Sequence, residues 1–410
     1  MSKTRKLGWL IKVRWAVLFA VLFAINISVA VGQDEDIYKE FSGYVTFDNR
    51  YFLNQGAYPG QHRNYLSFSF QPEYLMEWQD GDKSIKFTGF ARFDQYDDQR
   101  THFDIRELYY QTVKSNWELS IGIKKIFWGV TESVHLVDII NQTDFVESFD
   151  GEQKLGQPML HYSLLSNFGT FDLLAMPYFR KRQFPGREGR LRTSFVLERN
   201  DAVFEDNAKE FRPDFAFRWS HYIGAFDIGV SHFYGTGREP ITFKSDGDGN
   251  FNLLYGIINQ TGFDIQATTG PFLWKFESII RRNEELNMFG LAAGFEYTFG
   301  NIFNSGLDIG IVGEYLYDDR DERSFSSLQN DIFLATRLAF NDTQSTEILF
   351  GGIFDREHSS KLFSLEGSRR IGNSYKATIE ARIFEDIDNE EFLFFIREDS
   401  FLQFTIAKYF

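Results

Sequence analysis

The chain contains no cysteine, and it has only 8 prolines and 7 histidines in 410 residues. The missing cysteines exclude disulfides, thiolate metal sites and thiol nucleophiles. The histidines follow no catalytic or metal-binding spacing, so we expect no metal and no cofactor. Proline breaks β-ladders, whereas 47 Phe and 19 Tyr favour strands. The composition therefore predicts a chain that is mostly β-structure.

Long hydrophobic runs are also missing, apart from one near the start. Residues 1–32 combine five basic side chains, the apolar run Trp15–Ala24 and the small residues Ser28–Ala30. That order is typical of a secretory signal peptide. We expect it to be cleaved, leaving residues 33–40 as a short periplasmic segment; an uncleaved N-terminal membrane anchor is the alternative.

The exported chain is acidic. Without the five basic residues of the signal it keeps 38 of 43 Lys and Arg against 58 Asp and Glu, a formal charge of −20. An excess of this sign argues against nucleic acid as a partner.

Alternation of apolar and polar residues indicates about eighteen strands, an even number as in single-chain bacterial barrels. The predicted fold is all-β: a transmembrane antiparallel up-and-down β-barrel of residues 41–410, in the outer membrane of a Gram-negative bacterium. The strands are expected near 41–53, 64–78, 83–96, 101–113, 117–127, 157–166, 170–181, 212–222, 225–235, 253–267, 271–282, 287–299, 306–318, 329–340, 346–355, 360–370, 375–385 and 399–410.

The connections alternate in length. Tight turns such as Lys114–Asn116 follow the even strands, and longer links such as 182–211 follow most of the odd ones. A barrel with both termini in the periplasm has this asymmetry. The last strand ends on Phe410, which is typical of the signal read by the barrel-assembly machinery, and we expect it to pair with the first strand. Lipid and lipopolysaccharide are the other expected partners.

Charged residues inside the strands should point into the lumen, since a charge facing lipid costs about 2–4 kcal/mol. They could form an ion-pair lattice that stiffens the wall, or line a wet passage and set its selectivity. The candidates for lining a pore on this pattern are Lys275, Glu277, Arg281, Glu296, Glu314, Arg337, Glu366, Glu380 and Arg382.

An eighteen-stranded wall is wide enough to enclose an aqueous channel. The long Asp- and Asn-rich segment Trp128–Gly156 is the best candidate to fold inward and narrow it. A solvated surface loop is the alternative. For Trp128 itself, an outer aromatic girdle competes with an inward position.

Four stretches carry a family resemblance: Phe103–Tyr109, Ile121–Gly129, Asp138–Asp144 and Gly156–Leu160. They resemble a signature of Gram-negative outer-membrane barrels catalogued as a domain of unknown function and distantly related to the alginate-export porin. The family usually has Arg-Gln where this chain has two lysines at 124 and 125, and Pro where it has Gln142.

The resemblance implies a passive barrel for export or uptake, partnered by an inner-membrane exporter or a periplasmic carrier. We also expect a polar cluster to anchor the inward segment to the wall, formed by Arg106, Lys124, Asp138, Asn141 and Asp144.

Two loop sequences allow two interpretations each. The basic run Arg180–Arg192 fits lipopolysaccharide phosphates or, as the alternative, an entrance for an anionic substrate. Asp246–Asn250 resembles the start of a calcium-binding loop but lacks the downstream bidentate glutamate of an EF-hand. This favours a solvated acidic loop.

The sequence thus predicts a porin-like outer-membrane channel, not an enzyme, for passive passage of a small or anionic or amphipathic solute, gated by residues 128–156. A structural or adhesive barrel with a closed lumen is the alternative, followed by a membrane-embedded hydrolase.

Overall fold

The structure is a computed structural model and describes residues 37–197, 202–245, 251–284, 287–320 and 328–410. Eighteen strands form one closed antiparallel barrel, and three further strands form a small separate sheet. The strands are β1 Ile37–Phe52, β2 Asn64–Trp78, β3 Lys83–Asp94, β4 His102–Lys114, β5 Trp117–Lys124, β6 Gln157–Ser166, β7 Gly169–Met176, β8 Ala202–Phe204, β9 Asp214–Ile223, β10 Phe226–Thr236, β11 Thr242–Ser245, β12 Phe251–Tyr255, β13 Ile257–Thr269, β14 Phe272–Arg282, β15 Asn287–Ile302, β16 Leu307–Asp318, β17 Asn330–Ala339, β18 Glu347–Asp355, β19 Lys361–Ile371, β20 Tyr375–Glu385 and β21 Phe401–Tyr409.

The barrel closes where β21 pairs with β1, from Tyr44 opposite Tyr409 to Phe52 opposite Phe401. Phe410 extends this seam, since its N–H donates to the carbonyl of Gly43 at 3.1 Å and its carbonyl accepts from Gly43 at 3.2 Å. Gly43 has φ +149°, and a Cβ there would lie 2.9 Å from the Phe410 ring. The predicted closure and the predicted strand number are both confirmed.

Each wall strand has one apolar outward face. On β14, Trp274 and Ile280 are 45% and 52% exposed, while Glu277 and Ile279 are buried inside. Alternation of this kind gives a barrel an apolar outer surface. Short turns join β2 to β3, β4 to β5 and β9 to β10, on the side where the chain enters and leaves the barrel. The predicted asymmetry of the connections is therefore present.

Several predicted boundaries are wrong. β1 already begins at Ile37, four residues before its predicted start. β5 stops at Lys124, because the chain then turns into the lumen. β7 stops at Met176, five residues before its predicted end. The predicted strand 253–267 is two strands, the second of which, β13, is part of the barrel.

The small sheet lies among the long connections. β12 pairs antiparallel with β11 and parallel with β8. Buried Phe179, Leu197, Leu253 and Tyr255 pack together beside it. The long connections on this side are therefore folded against one another, with a hydrophobic cluster of their own.

Helices contribute little to the described residues, where no helix is long and apolar enough to cross a bilayer. Two predicted features lie outside the described residues: the signal peptide 1–32 with residues 33–36, and the acidic loop 246–250.

Candidate functional site: an interior segment across the lumen

Residues 125–156 leave the wall after β5 and re-enter it at β6. On one side Asp144 forms an ion pair with Arg106 of β4 at 2.5 Å. On the far side of the ring, the same segment contacts Glu277 of β14 and Glu314 of β16. It therefore crosses the lumen. The predicted inward loop is confirmed, and the surface-loop alternative is wrong.

Asn141 closes the base of this crossing. Its Oδ1 accepts the N–H of Ile126 at 2.9 Å, and its Nδ2 donates to the carbonyls of Lys124 at 3.0 Å and Leu155 at 2.9 Å. One buried amide thereby satisfies backbone groups from both ends of the segment, which would otherwise lose hydrogen bonds to water. The predicted anchoring role of Asn141 fits this geometry.

Beyond this base, Trp128 and Asp138 bring the two sides of the segment together at a neck. Asp138 accepts the N–H of Trp128 at 3.4 Å and forms an ion pair with Lys154 at 3.2 Å. Residues 129–137, here called the arm, are thus a compact excursion whose two ends lie together, like an Ω-loop.

Glu277 holds the arm from the wall. Its Oε1 accepts the N–H groups of Val130 at 2.6 Å and Thr131 at 3.0 Å and the hydroxyl of Thr131 at 2.8 Å. Its Oε2 accepts the N–H of Val137 at 3.2 Å. Glu277 is fully buried and has no cation within 4 Å among the described residues, so donors of the arm stabilise its charge.

Glu314 holds the next two residues of the arm in the same way. Its Oε1 accepts the N–H of Glu132 at 2.6 Å, and its Oε2 accepts the N–H and the hydroxyl of Ser133 at 2.9 and 2.5 Å. The two wall carboxylates together satisfy five backbone N–H groups of the arm. Sequence alone placed both glutamates inward but did not identify these partners.

Ion pairs fix the tip of the arm. Glu132 lies 3.2 Å from Lys275 of β14 and 2.7 Å from Arg337 of β17. Arg337 also approaches Glu296 of β15 at 3.4 Å. Two candidate pore residues, Lys275 and Arg337, therefore converge on one carboxylate of the arm, which the sequence analysis did not single out.

The remaining wall candidates contact other interior residues. Arg382 of β20 lies 2.9 Å from Asp150 of the interior segment, 2.5 Å from Glu366 and 3.6 Å from Glu380. Arg281 pairs instead with Glu239 of a long loop at 2.9 Å. The ion pairs do not form a lattice of wall residues alone, because several of them join a wall strand to chain inside the barrel.

One further contact, made by a residue of β3, helps to anchor the segment. Arg92 of β3, which the sequence analysis missed, bridges Asp48 at 2.5 Å and Glu147 of the segment at 2.8 Å. It shares an inward face with Phe90 and Asp94, so alternation along β3 could have identified it.

Lys124 does not join the predicted cluster through its side chain. Its Nζ donates to Ser120 at 3.0 Å and lies 3.4 Å from Nδ1 of His161. Its only contact with the segment is the backbone carbonyl that accepts from Asn141. The expected role for this ammonium group is wrong, because the side chain extends along β5 away from the loop.

That same neighbourhood bears on the hydrolase alternative. His161 lies 2.9 Å from Asp172, and Ser120 lies beside it through Lys124. These residue types could activate a serine nucleophile. Ser120, however, is only 1% exposed, so a substrate cannot reach it in this conformation.

The lumen is not polar throughout. Trp128, Val137, Ile139 and Ile140 of the segment pack against buried wall residues such as Met159, forming a hydrophobic cluster inside the barrel. Trp128 is 6% exposed, so its assignment to an outer girdle is wrong. An apolar cluster is present there because an interior segment needs a core of its own to hold a position.

Two cavities lie beside the segment. The first, here called the loop cavity, has a volume of about 260 Å³ and aromatic walls that include Phe145, Phe149, Phe184 and Phe195. The second, here called the arm cavity, has a volume of about 290 Å³ and is lined by the arm and the inner face of β17 to β20. The two share the lining residues Ser133, Phe149, Asp150, Ile353 and Leu362.

The basic run is mostly inside the molecule. Arg190 and Arg192 are 4% and 7% exposed, and Arg180 pairs with Asp104 at 2.5 Å. Arg182 lines the loop cavity, whereas Arg187 is exposed. The lipopolysaccharide interpretation does not fit the four inward arginines, and their positions favour the alternative, an anionic entrance.

Asp97 ties the link between β3 and β4 to the loop over the lumen. Its Oδ1 accepts the N–H groups of Gly186 at 2.9 Å and Gln99 at 3.0 Å. Burial, with a smaller contribution from Asp94, raises the pKa of Asp97 to about 6. The folded protein therefore binds this proton more tightly than the unfolded chain does.

We expect the barrel to gain stability as the pH falls from above 6 towards 4, because the neutral carboxyl is favoured in the folded state. Asp97→Asn should show a weaker dependence than the wild type and raise the unfolding midpoint at pH 7. Guanidinium unfolding of both proteins in detergent at pH 7 and pH 5 measures the effect. Parallel pH dependences would contradict it.

The comparisons with known proteins concern the fold. The sequence matches no family model and none of the curated proteins. The resemblance to the alginate-export relatives therefore stays a prediction.

Solved structures do match. A BenF-like porin from Pseudomonas fluorescens is 9% identical with a TM-score of 0.54, over 92% of this chain and 98% of that one. OpdO from Pseudomonas aeruginosa is 9% identical with a TM-score of 0.53, over 92% and 97%. OccK5 (OpdH) from the same species is 8% identical with a TM-score of 0.53, over 92% and 98%. The fold is that of porin-like outer-membrane barrels.

Proposed function

We propose that the protein is an outer-membrane channel through which a small anionic or amphipathic solute passes passively. The path runs from the loop cavity into the arm cavity and then along the inner face of β17 to β20. The arm is the constriction that gates this path. No catalytic step is part of the function.

The adjacency of the two cavities is the observation that carries the proposal. They share five lining residues, so a solute in the first is already beside the second. An eighteen-stranded barrel without an interior segment is wide; the segment reduces that width, and the two cavities lie beside it. Passage of small solutes along this space, with charged side chains at its narrowest part, is the behaviour of a selective pore.

The lining of the arm cavity combines apolar surface with charges of both signs. Arg382 lines it together with Glu132, Asp150, Glu152 and Glu366, while Phe149, Ile353 and Leu362 supply apolar surface. Preference for an anion therefore rests on Arg182 and Arg192, which line the loop cavity at the start of the path.

Planar-bilayer recording tests the proposal. The purified mature protein is expected to give discrete open steps, with reversal potentials in a salt gradient that favour anions. A barrel that inserts but never conducts would have a closed lumen, as the structural or adhesive alternative requires. Heat-denatured protein from the same preparation is the control for leaks caused by detergent.

A further inference from the structure

The loop cavity contains two guanidinium groups, from Arg182 and Arg192, among aromatic and aliphatic side chains. Its one carboxylate, Asp150, is already paired with Arg382 at 2.9 Å. Within the described part of the chain, neither arginine has a carboxylate within 4 Å. The cavity is therefore an apolar space with an excess of buried positive charge.

The hydrogen bonds of Arg182 include no carboxylate. Its Nε donates to the side-chain carbonyl of Gln142 at 3.1 Å, and an NH₂ group donates to the backbone carbonyl of Arg238 at 3.0 Å. The guanidinium also lies 4.6 Å from the ring centroid of Phe145. These partner groups are all neutral. Burial lowers the pKa of Arg182, as expected for a cation removed from water.

Arg192 likewise has no carboxylate within 4 Å among the described residues. Its terminal nitrogens donate to the backbone carbonyls of Thr193 at 2.7 Å and Arg187 at 3.0 Å, and its guanidinium lies 4.5 Å from the ring of Tyr58. Its Nε is buried and has no hydrogen-bond partner. An unsatisfied charged donor in a protein interior is costly, and native structures keep few of them.

The neighbouring Arg190 shows that this region can neutralise an arginine. Arg190 pairs with buried Asp399 at 2.6 Å. Among the described residues, Arg192 and Arg182 have no such acid within 4 Å. The missing negative charge at these two positions is most simply supplied by a ligand.

We infer that the loop cavity is a binding site for an amphipathic monoanion, in which Arg182 and Arg192 bind the anionic group and the phenylalanines bind an aromatic or short aliphatic body. The volume is close to the lower bound of about 300 Å³ for ligand pockets, so the ligand is small. The site serves solute capture ahead of the arm, and it rests on the proposed channel function in that respect.

Equilibrium titration of the detergent-solubilised protein tests the site with benzoate as the probe. Benzamide has the same ring without the charge, and acetate has the charge without the ring. Benzoate is expected to bind at least tenfold more tightly than either, which corresponds to about 1.4 kcal/mol. Equal affinities for benzoate and benzamide would overturn the inference.

Matched variants locate the site. Arg182→Gln and Arg192→Gln are each expected to weaken benzoate binding at least tenfold, while Arg187→Gln, an exposed member of the same basic run, should leave it unchanged. Arg182→Lys and Arg192→Lys keep the charge without the planar fork and should give intermediate affinities. Circular dichroism confirms that each variant is folded. Wild-type affinity in the double Gln variant would overturn the inference.

The outcome is separable from that of the conductance experiment. Binding measured in detergent does not require an open pore. If benzoate binds and the variants behave as expected while no conductance is found, the site stands and the channel proposal fails. If the pore conducts and benzoate does not bind, only the inference fails.

Discussion

Replacing residues 129–137 with two glycines is expected to raise the single-channel conductance about twofold or more, because the arm is the part of the interior segment that reaches β14 to β17. Trp128 and Asp138 already lie together at the neck, with the Trp128 N–H 3.4 Å from Asp138 Oδ1, so the chain can be rejoined there. The base held by Asn141 is left intact. Planar-bilayer recording in 1 M salt (about 3 Å screening length) measures pore width with little influence of charge.

The matched control shortens a loop that lies outside the lumen. Phe303 in the turn between β15 and β16 is 96% exposed, and deleting residues 303–305 removes chain there without touching the arm. That variant should conduct like the wild type. An arm-deleted protein with wild-type conductance would show that the narrowest part of the path lies elsewhere.

The double variant Glu277→Ala Glu314→Ala is expected to have the second large effect. Together these carboxylates accept five backbone N–H groups and two hydroxyls of the arm. Hydrogen bonds to charged groups contribute about 1.5–3 kcal/mol each. We expect the free energy of unfolding to fall by about 3 kcal/mol or more, and the current to become noisy as the freed arm moves.

Glu366→Ala is the control for losing a wall glutamate. Glu366 faces the same lumen from β19, but it pairs only with Arg382 and its side chain is 50% exposed. Guanidinium unfolding should barely distinguish this variant from the wild type, and its current should stay quiet. Equal destabilisation in all the glutamate variants would mean that general lumen charge, and not support of the arm, is what matters.

The sequence predicted the inward direction of the wall charges well, but not their partners. Alternation along a strand identifies the face of a residue, which is why Glu277, Glu314 and Arg382 could be assigned to the lumen. The partners of Glu277 lie 140 to 147 positions away in the chain. No local pattern encodes a contact at that separation.

The prediction for the Lys124 side chain, in contrast, was wrong. The resemblance placed it in the anchoring cluster with Arg106 and Asn141, and its backbone carbonyl is there. The side chain instead extends along β5 towards Ser120. Whether a long side chain follows the strand or crosses to a loop depends on the space that neighbouring strands leave, and that space exists only in the folded barrel.

The sequence by itself determined the closed barrel, its strand number and the sides on which the short and long connections lie. These follow from period-two alternation and from the requirement that every backbone group in a membrane be paired within the protein. Only the tertiary structure decided that the interior segment has a hydrophobic core, that two wall glutamates support its arm, and that Arg182 and Arg192 share a cavity. Those features depend on which distant residues meet across the lumen, and that is a consequence of closing the ring.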